Sequence, residues 1–324
     1  MLLLGLGGPA AAEPYPVAWW PLDDGVNPTG EIVRGLVSTL TSNNTTDGPK
    51  WVIKNLSAKP LAPIDCNRDA LRFDGSDAFV SVPDTTSGQM DGFTALTLSA
   101  WIRPAGPSSP DGGAIVSKYD THNAWLSYHI GRMPGSGGNL RFILGQRKFP
   151  TETYIAADTT DLVAPAGVWT HVAAVWTGSN AVTDLRIYVN GVSAQLTYLQ
   201  SGTFTGMYRG SVPIEIGSSH SATGSFVGRT AFFHGDIDDV RIYDVALTAA
   251  EVAALAAGGA AVDACPTCPI DCGLPGQQVY YGVVRRSSGA LGSIHCWTTT
   301  AGGVDCRRDA QGELLVGPPE CAPP

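Results

Sequence analysis

Hydrophobic and polar residues alternate along most of the chain from Val17 to Asp244, and this period of two predicts β-strands. Glycine, proline, asparagine and aspartate separate the alternating segments, as expected for turns. The dipeptide Asn190-Gly191 predicts a tight hairpin, because both turn positions need a positive φ angle. Many strands without crossover helices predict an all-β fold, an antiparallel sandwich or jelly roll. The segments read "ALRFDG", "AFVSVP", "LTLSAWIRP", "AIVSKY", "AWLSYHI", "LRFIL", "WTHVAAVWTG", "LRIYVNGVSA" and "VPIEIGSS".

One helix is predicted near the end of this region, in the segment "AEVAALAA". Thr248 is a favourable N-cap residue, and Glu251 completes a capping box with it. Gly258 suits the left-handed position that often follows a helix. We expect the apolar side chains of Val252 and Leu255 to pack this short helix against the outside of the sandwich.

Composition and charge narrow the range of partners. Of the 324 residues, 44% are hydrophobic, which is enough for a sizeable core, and only 15% are charged. The formal net charge is -9 and the arginines are scattered along the chain. Nucleic-acid-binding proteins instead concentrate lysine and arginine on one face. The sequence therefore predicts neither nucleic acid nor an anionic membrane as a partner.

The first residues are typical of the end of an export signal. The apolar run "MLLLGLGG" is followed by three alanines at 10–12, which suit cleavage before Glu13. The run is too short to cross a bilayer, which takes ~20 apolar residues. We therefore expect residues 1–12 to be a signal-peptide remnant and the protein to be secreted. The alternative is a cytoplasmic chain with an apolar start.

Cysteine usage agrees with secretion. Six of the seven cysteines lie near the C-terminus, as in a small domain stabilised by disulfides. The odd number leaves one thiol free or paired between chains. That thiol is Cys66 if the other six form three bridges, or a tail cysteine if Cys66 is linked to the tail. The six are Cys265, Cys268, Cys272, Cys296, Cys306 and Cys321.

These features divide the chain into the predicted sandwich at 13–257, a linker at 258–264 and a Cys-rich tail at 265–324. In the tail, the segments "VYYGVVRR", "SIHCWTTT" and "VDCRRDAQGELLV" predict a small three-stranded sheet. Within that sheet we expect Cys296 and Cys306 to face each other across the turn "TTAGG".

The succession of strand motifs resembles the LamG-like jelly-roll family of the concanavalin A-like lectin/glucanase superfamily. The resemblance covers about residues 17–257 and rests on the order and spacing of "VAWWPLDDG", "ALRFDGSDAFVSVPD", "LTLSAWIRP", "WTHVAAVWTG", "LRIYVNGV" and "FHGDIDDVRIYD". It implies two curved antiparallel sheets, one of them concave. It also implies an extracellular module of a kind that often binds glycans, proteins or neighbouring subunits.

The segment "HGDIDDVRIYD" raises the possibility of catalysis. Glucanases of this superfamily carry two glutamates in an E-x-D-x-x-E pattern, and retaining hydrolysis needs two carboxyl groups ~5–5.5 Å apart. On this pattern the three key positions are Asp236, Asp238 and Arg241. Arginine cannot serve as nucleophile or acid. G-x-S-x-G and H-E-x-x-H motifs are also absent, and we expect His171 to make a hydrogen bond within a strand. The sequence therefore predicts no catalytic residues.

The same segment could bind a metal ion. The spacing of apolar residues around the Asp238-Asp239 step predicts a β-bulge, which would re-aim a carboxylate. In relatives of this fold a structural calcium ion often joins the first strand to the last. The matching ligands here are Asp23 or Asp24 with Asp238, and their oxygens suit calcium. The alternative is that Asp24 caps a turn while Asp238 pairs with Arg241 or a backbone amide.

Aromatic residues are the candidates for ligand binding, since sugars stack their CH groups on aromatic rings. Trp101 and Trp169 match core positions of the family, so we expect them to be packed inside. Trp125 and Tyr128 lie on a more polar strand and are the predicted ligand-binding residues of the concave surface.

Three functions follow from these observations. We expect a secreted, non-catalytic binding or adhesion protein that recognises glycan or a cell-surface or matrix partner. The alternative is a structural extracellular protein that self-assembles into a fibre, sheath or surface layer, which low charge and an odd thiol favour. A glycoside hydrolase is the third possibility.

Overall fold

The structure is a computed structural model of the 324-residue chain. It describes residues 16–20, 22, 29–30, 37–42, 50–51, 70–83, 90–108, 112–120, 125–147, 153–210, 212–223, 226–257, 279–285, 291–298 and 304–306. The predicted signal-peptide remnant at 1–12 and the predicted linker at 258–264 lie outside these residues.

Strands make up most of the described structure, so the all-β prediction is confirmed. One α-helix, α1 (Ala249–Ala256), and one 3-10 turn (Val182–Asp184) accompany them. The strands are β1 (Ala18–Trp20), β2 (Thr29–Gly30), β3 (Val37–Ser42), β4 (Lys50–Trp51), β5 (Leu71–Asp74), β6 (Ala78–Val82), β7 (Leu96–Pro104), β8 (Gly113–Asp120), β9 (Trp125–Arg132), β10 (Leu140–Arg147), β11 (Thr153–Thr159), β12 (Thr170–Trp176), β13 (Leu185–Val189), β14 (Val192–Ser193), β15 (Leu196–Ser201), β16 (Ile214–Ile216), β17 (Ser219–Thr223), β18 (Phe226–Thr230), β19 (His234–Tyr243), β20 (Val279–Arg285), β21 (Leu291–Thr298) and β22 (Val304–Cys306).

Two large sheets form the sandwich. In the described residues the smaller sheet has eight strands in the order β14-β13-β12-β7-β19-β5-β4, with β1 also paired to β19. The larger sheet has eleven strands in the order β15-β11-β10-β9-β8-β16-β6-β3-β2, with the hairpin β17-β18 attached through β8. Nearly all pairs are antiparallel, and the closing strand β19 lies centrally in the smaller sheet beside β7.

The core lies between the two sheets, where alternate side chains of both interdigitate. Leu98 and Ile237 of the smaller sheet belong to the same buried cluster as Phe142 and Ile155 of the larger sheet. Strands β7 and β12 are buried along their whole length. A strand buried on both faces needs a second layer of cover, and α1 provides part of it.

Helix α1 packs on the outer face of the smaller sheet, as predicted. Val252 and Leu255 are buried there with Tyr188 and Tyr243 in a second apolar cluster. The predicted capping box at the start of the helix is also confirmed, because Thr248 and Glu251 each accept a hydrogen bond from the other's backbone amide. The cap satisfies amides that would otherwise lack a partner.

The predicted hairpin at Asn190-Gly191 joins β13 to β14. Both residues have positive φ angles, 48° and 79°, as the tight turn requires. A side chain on Gly191 would also approach the Cα atom of Ala253 to 2.8 Å, so glycine allows α1 to pack against this turn.

The tail contains the predicted three-stranded sheet, in the order β20-β21-β22. Cys296 of β21 and Cys306 of β22 are opposite partners in the antiparallel register, as expected. The pairing of the cysteines as disulfides stays a prediction. The other five cysteines lie outside the described residues: Cys66, Cys265, Cys268, Cys272 and Cys321.

Candidate functional site

The first aspartate of the closing strand is part of a buried ion-pair cluster. Arg72 of β5 donates two hydrogen bonds to the Asp236 carboxylate, at 2.7 and 3.0 Å. Arg103 of β7 donates from its Nε at 2.7 Å. The Arg103 guanidinium lies 5.1 Å from the ring centre of Trp169. Asp236 therefore joins three neighbouring strands of the smaller sheet, which is a structural role.

The predicted β-bulge is confirmed between Asp238 and Arg241, where the pairing of β19 with β7 shifts register. Asp239 has a φ angle of 48°, a left-handed conformation that aspartate tolerates better than most residues. Its carboxylate accepts a 2.6 Å hydrogen bond from the indole Nε1 of Trp19 and a 3.0 Å bond from Arg241 Nε. The Arg241 guanidinium lies 4.4 Å from the Trp19 ring centre. The bulge thus joins β1, the first described strand, to β19, the closing strand of the sandwich.

Asp238, the predicted metal ligand of this strand, is fully buried. Its Oδ1 accepts a 2.9 Å hydrogen bond from the backbone amide of Asp239, while the ion pair with Arg241 is made by Asp239. The other predicted ligands, Asp23 and Asp24, lie outside the described residues. Within the described ranges, no three acidic, histidine or cysteine side chains are grouped closely enough for a metal ion. The calcium ion therefore stays a prediction.

The outer face of the larger sheet carries a continuous row of opposed residues. Because side chains alternate along a strand, these residues point away from the core that their neighbours line. The row contains a carboxylate, two serines and an imidazole before it becomes apolar at the β15 edge. It consists of Ser81, Glu215, Ser117, His129, Ile143, Ala156 and Leu199.

Glu215 is buried and paired at the centre of this sheet. Arg229 Nε of β18 donates to Oε1 at 2.9 Å, and Ser218 Oγ donates to Oε2 at 2.5 Å. Burial raises the pKa of Glu215, and the charge of Arg229 opposes that rise. The Arg229 guanidinium also lies 4.4 Å from the ring centre of Phe79. This network fixes the β17-β18 hairpin to the sheet.

His129 is half-buried and lies opposite Ser117, the serine of β8 that also lies opposite Glu215. Its Nδ1 lies 3.3 Å from Ser219 Oγ, and its ring contacts the edge of Tyr119. A Cβ atom on Gly131 would come within 2.7 Å of His129 Nε2, so the imidazole lies over a position that only glycine leaves open. Burial and the charge of Arg141 lower the pKa of His129 to about 4. The imidazole is therefore neutral near pH 7.

Arg141 and Asp158 form the neighbouring charged pair on this face. Arg141 Nε and Nη2 each donate to one oxygen of Asp158 at 2.7 Å, which forms a bidentate salt bridge between β10 and β11. The carboxylate raises the pKa of Arg141, partly offset by burial. Tyr154 lies on the same face, two positions before Ala156, and is half-buried. Tyr119, His129, Arg141 and Tyr154 thus combine aromatic rings with fixed polar groups on a partly exposed surface.

The prediction that Tyr128 binds a ligand is wrong. Tyr128 has 0% exposure and belongs to the core cluster, because it is adjacent in β9 to outward-pointing His129. Trp125 begins the same strand, and its side chain lies outside the described part of the chain. His129 and Arg141 are residues of this face that the sequence analysis did not predict. The signal for them was present, since each alternates with core residues in "WLSYHIGR" and "LRFIL".

The two tryptophans expected in the core have different surroundings. Trp101 is buried, but it contacts His171 edge-on at 5.4 Å and does not belong to the cluster between the sheets. Trp169 precedes β12 and is only half-buried, so its prediction as a core residue is wrong. The prediction for His171 is confirmed: it lies in β12, and its Nε2 is 2.9 Å from Ser99 Oγ.

Solved structures similar to this chain include the receptor binding domain of botulinum neurotoxin mosaic serotype C/D, with 10% identity over 76% of this chain and 52% of that chain and a TM-score of 0.47. The CBM40 of Ruminococcus gnavus IT-sialidase, solved with alpha2,3 sialyllactose, is 13% identical over 51% of this chain and 84% of that one, with a TM-score of 0.39. The heptameric SAP-like pentraxin from Limulus polyphemus is 17% identical over 75% of this chain and 96% of that one, with a TM-score of 0.38.

The chain spans between half and two thirds of the length of the toxin domains it resembles, from 50% to 65%. At these identities the similarities concern the fold alone. None of the curated proteins compared with the chain matches it. Throughout the described ranges, no helix has the length and apolar content needed to cross a membrane.

A family model matches directly at the level of sequence. The laminin G-type model of the Concanavalin A-like lectin/glucanases superfamily covers residues 74–253, which is more than half of the 324-residue chain. The matched region runs from the end of β5 into α1 and includes the core strands of both sheets. The chain therefore belongs to the concanavalin A-like lectin/glucanases superfamily, as the resemblance of its strand motifs implied.

Proposed function

We propose that this protein is an extracellular, non-catalytic binding module that recognises glycans through the outer face of its larger sheet. The observation that carries the proposal is the group of partly exposed side chains around His129 and Arg141. Glycan sites combine aromatic faces, which contact sugar CH groups, with a few fixed polar groups that bind hydroxyls. Tyr119 and Tyr154 supply the aromatic rings.

The polar groups of this face are held in position before any ligand arrives. Arg141 is fixed by the bidentate salt bridge with Asp158, and the His129 ring is fixed between Ser219 and Tyr119. The Nδ1 of His129 is engaged with Ser219, and the other ring nitrogen of the neutral imidazole can donate or accept one hydrogen bond, depending on the tautomer, which suits a sugar hydroxyl. Groups that are already ordered lose little conformational freedom on binding, which favours affinity.

The carboxylates described on this face support binding rather than hydrolysis. Glu215 is held by Arg229 and Ser218, and Asp158 is held by Arg141. Retaining hydrolysis needs two carboxyl groups that both reach the same glycosidic bond, one as nucleophile and one as acid and base. On the closing strand, Asp236 is likewise engaged by two arginines.

The proposal can be tested by glycan-array binding of the full chain and of two arginine variants. Arg141→Ala removes the cation next to His129 from the proposed binding face, whereas Arg186→Ala removes one from β13 of the opposite sheet, where it lies opposite Val175. We expect Arg141→Ala to weaken binding at least tenfold and Arg186→Ala to leave it unchanged.

Equal losses in both variants would move the site away from this face. Absence of any glycan binding by the folded parent would reject the glycan ligand. Release of reducing sugar that disappears in Glu215→Gln would reject the non-catalytic part of the proposal. Circular dichroism and thermal unfolding of each variant separate these outcomes from loss of folding.

A second candidate function is a structural protein that self-assembles. The observation that favours it is the edge of the larger sheet at β15, which carries no charged residue, pairs only with β11 among the described strands, and exposes Tyr198 and Leu199. A binding module can also be an oligomer, so the two functions are compatible.

A further inference from the structure

Strand β15 is the last strand of the larger sheet. Among the described strands it pairs only with β11, through six consecutive residue pairs from Tyr154 with Ser201 to Thr159 with Leu196. This register contains no bulge. Its central residues Tyr198 and Leu199 are 41% and 40% exposed. A regular edge strand of this kind presents backbone hydrogen-bonding groups to solvent.

One hydrogen bond just before β15 shows which of its backbone amides and carbonyls face β11 and which face outward. The amide of Thr160 donates to the carbonyl of Gln195 at 3.0 Å. Hydrogen-bonded pairs alternate with non-bonded pairs along an antiparallel ladder. Residues 197, 199 and 201 therefore point their amides and carbonyls toward β11. Leu196, Tyr198 and Gln200 point theirs outward, to the free edge.

Within residues 187–208, the sequence features that usually protect an edge strand do not occur. Natural edge strands avoid association through lysine, proline, bulges or inward-pointing charges. No charged residue and no proline occurs anywhere in residues 187–208. The sequence of β15, "LTYLQS", contains Thr197 and Tyr198, which favour strands, and none of the residue types that are depleted in strands. The chain has a net charge of -9, but residues 187–208 contribute nothing to it, so these edge residues do not repel each other electrostatically when two copies meet.

We propose that β15 pairs with β15 of a second copy of this chain, in antiparallel orientation, so that the two larger sheets become one. The outward groups fix the register. Tyr198 pairs with the Tyr198 of the other copy across a two-fold axis, and Leu196 pairs with Gln200 on either side. Each of these three pairs allows two backbone hydrogen bonds.

Symmetry and charge favour a second copy of this chain as the partner of the β15 edge. A two-fold axis makes two identical strands antiparallel automatically, and each outward group then meets its complement. A charged peptide would gain no ion pair from this edge, because residues 187–208 carry no charge. The pairing uses only the backbone of β15 and leaves the His129 face accessible, so it is independent of glycan binding.

The test compares two substitutions at Tyr198 by sedimentation velocity of the full chain, with and without reductant. Proline at this position removes the outward amide but leaves the ladder with β11 intact, since that amide does not face β11. Threonine keeps the amide and removes the aromatic ring. We expect the parent and Tyr198→Thr to form dimers as concentration rises, and Tyr198→Pro to remain monomeric, in both redox conditions.

Hydrogen exchange supplies a second measurement that does not depend on a variant. The amides of Leu196, Tyr198 and Gln200 should exchange several-fold more slowly at dimer-forming concentration than in dilute solution, while those of Thr197 and Leu199 stay protected at both. A monomeric parent at high concentration would overturn the proposal. So would a dimer that persists in a folded Tyr198→Pro variant, or one that disappears in reductant.

Discussion

The Nη2 atom of Arg103 and the carboxylate of Asp236 lie 2.6 Å apart between the adjacent strands β7 and β19, and their side chains are 7% and 2% exposed. A buried carboxylate shared by two arginines stabilises the fold only while all partners are present. Asp236→Asn leaves the Arg103 guanidinium without its anion. We expect the free energy of unfolding, measured by urea denaturation, to fall by about 3 kcal/mol or more.

The matched control is Asp161→Asn, which changes the same side chain at an exposed loop position. Surface substitutions of this kind usually change stability by less than about 0.5 kcal/mol. If the two variants unfolded at the same urea concentration, the ion-pair cluster would have no structural role.

The bulge on β19 was predictable from the sequence only in part. The irregular spacing of the apolar residues Ile237 and Val240 predicted the bulge, because a register shift must appear in the sequence as a break in the period of two. The partner of Arg241 was not predictable. A φ angle of 48° turns Asp239, rather than Asp238, toward that guanidinium, and backbone angles at a bulge leave no periodic trace.

The hydrogen bond from Trp19 to Asp239 joins residues 220 positions apart. Trp19→Phe removes the indole donor and keeps an aromatic ring under Arg241, so we expect it to destabilise the fold by about 1.5 kcal/mol, the lower end of the range for hydrogen bonds to charged groups. A double-mutant cycle with Asp239→Ala, which removes the acceptor oxygens, measures the coupling between the two side chains. The two substitutions should couple by at least about 0.5 kcal/mol, and strictly additive effects would contradict a direct interaction.

His171 makes stability depend on pH. Burial, followed by the charge of Arg241, lowers its pKa in the folded state to about 3, whereas an unperturbed histidine titrates near 6.5. Between these values the unfolded chain binds a proton that the folded chain excludes. Its contribution to stability is therefore fully present above pH 6.5 and is lost as the pH falls toward 3.

The change of unfolding free energy with pH tests this directly. One excluded proton corresponds to about 1.4 kcal/mol per pH unit within the window. His171→Gln should reduce the slope of stability against pH between 6.5 and 4 by up to that amount. An unchanged slope in a folded variant would show that His171 is protonated in the native protein as readily as in the unfolded chain.

The strands of the proposed binding face were predictable, but its residues were not. Aromatic character on a polar strand predicts Trp125 and Tyr128 as ligand contacts, yet Tyr128 is adjacent to outward-pointing His129 and therefore points to the core. The period of two separates the faces but does not say which is the core when both contain aromatic and apolar side chains. The pairing of Arg141 with Asp158 depends on strand register, which only the fold supplies.

The tail offers a test of the predicted disulfides. Cys296 and Cys306 occupy opposite positions in β21 and β22, and such partners lie about 4.5–5.5 Å apart between Cα atoms, within the span that a disulfide bridges. Both fall in the single tryptic peptide 287–307. We expect this peptide, from protein alkylated without reduction, to be two hydrogens lighter than the dithiol form and to carry no alkyl group.

Reduction before alkylation should add two alkyl groups to the same peptide, which is the internal control. Two alkyl groups without prior reduction would show that both thiols are free. A peptide linked instead to another cysteine peptide would show that register alone does not select the partner. If the bridge between Cys296 and Cys306 is present, the tail sheet should unfold at a higher temperature than in a Cys296→Ser variant, because a bridge between β21 and β22 reduces the entropy of the unfolded chain.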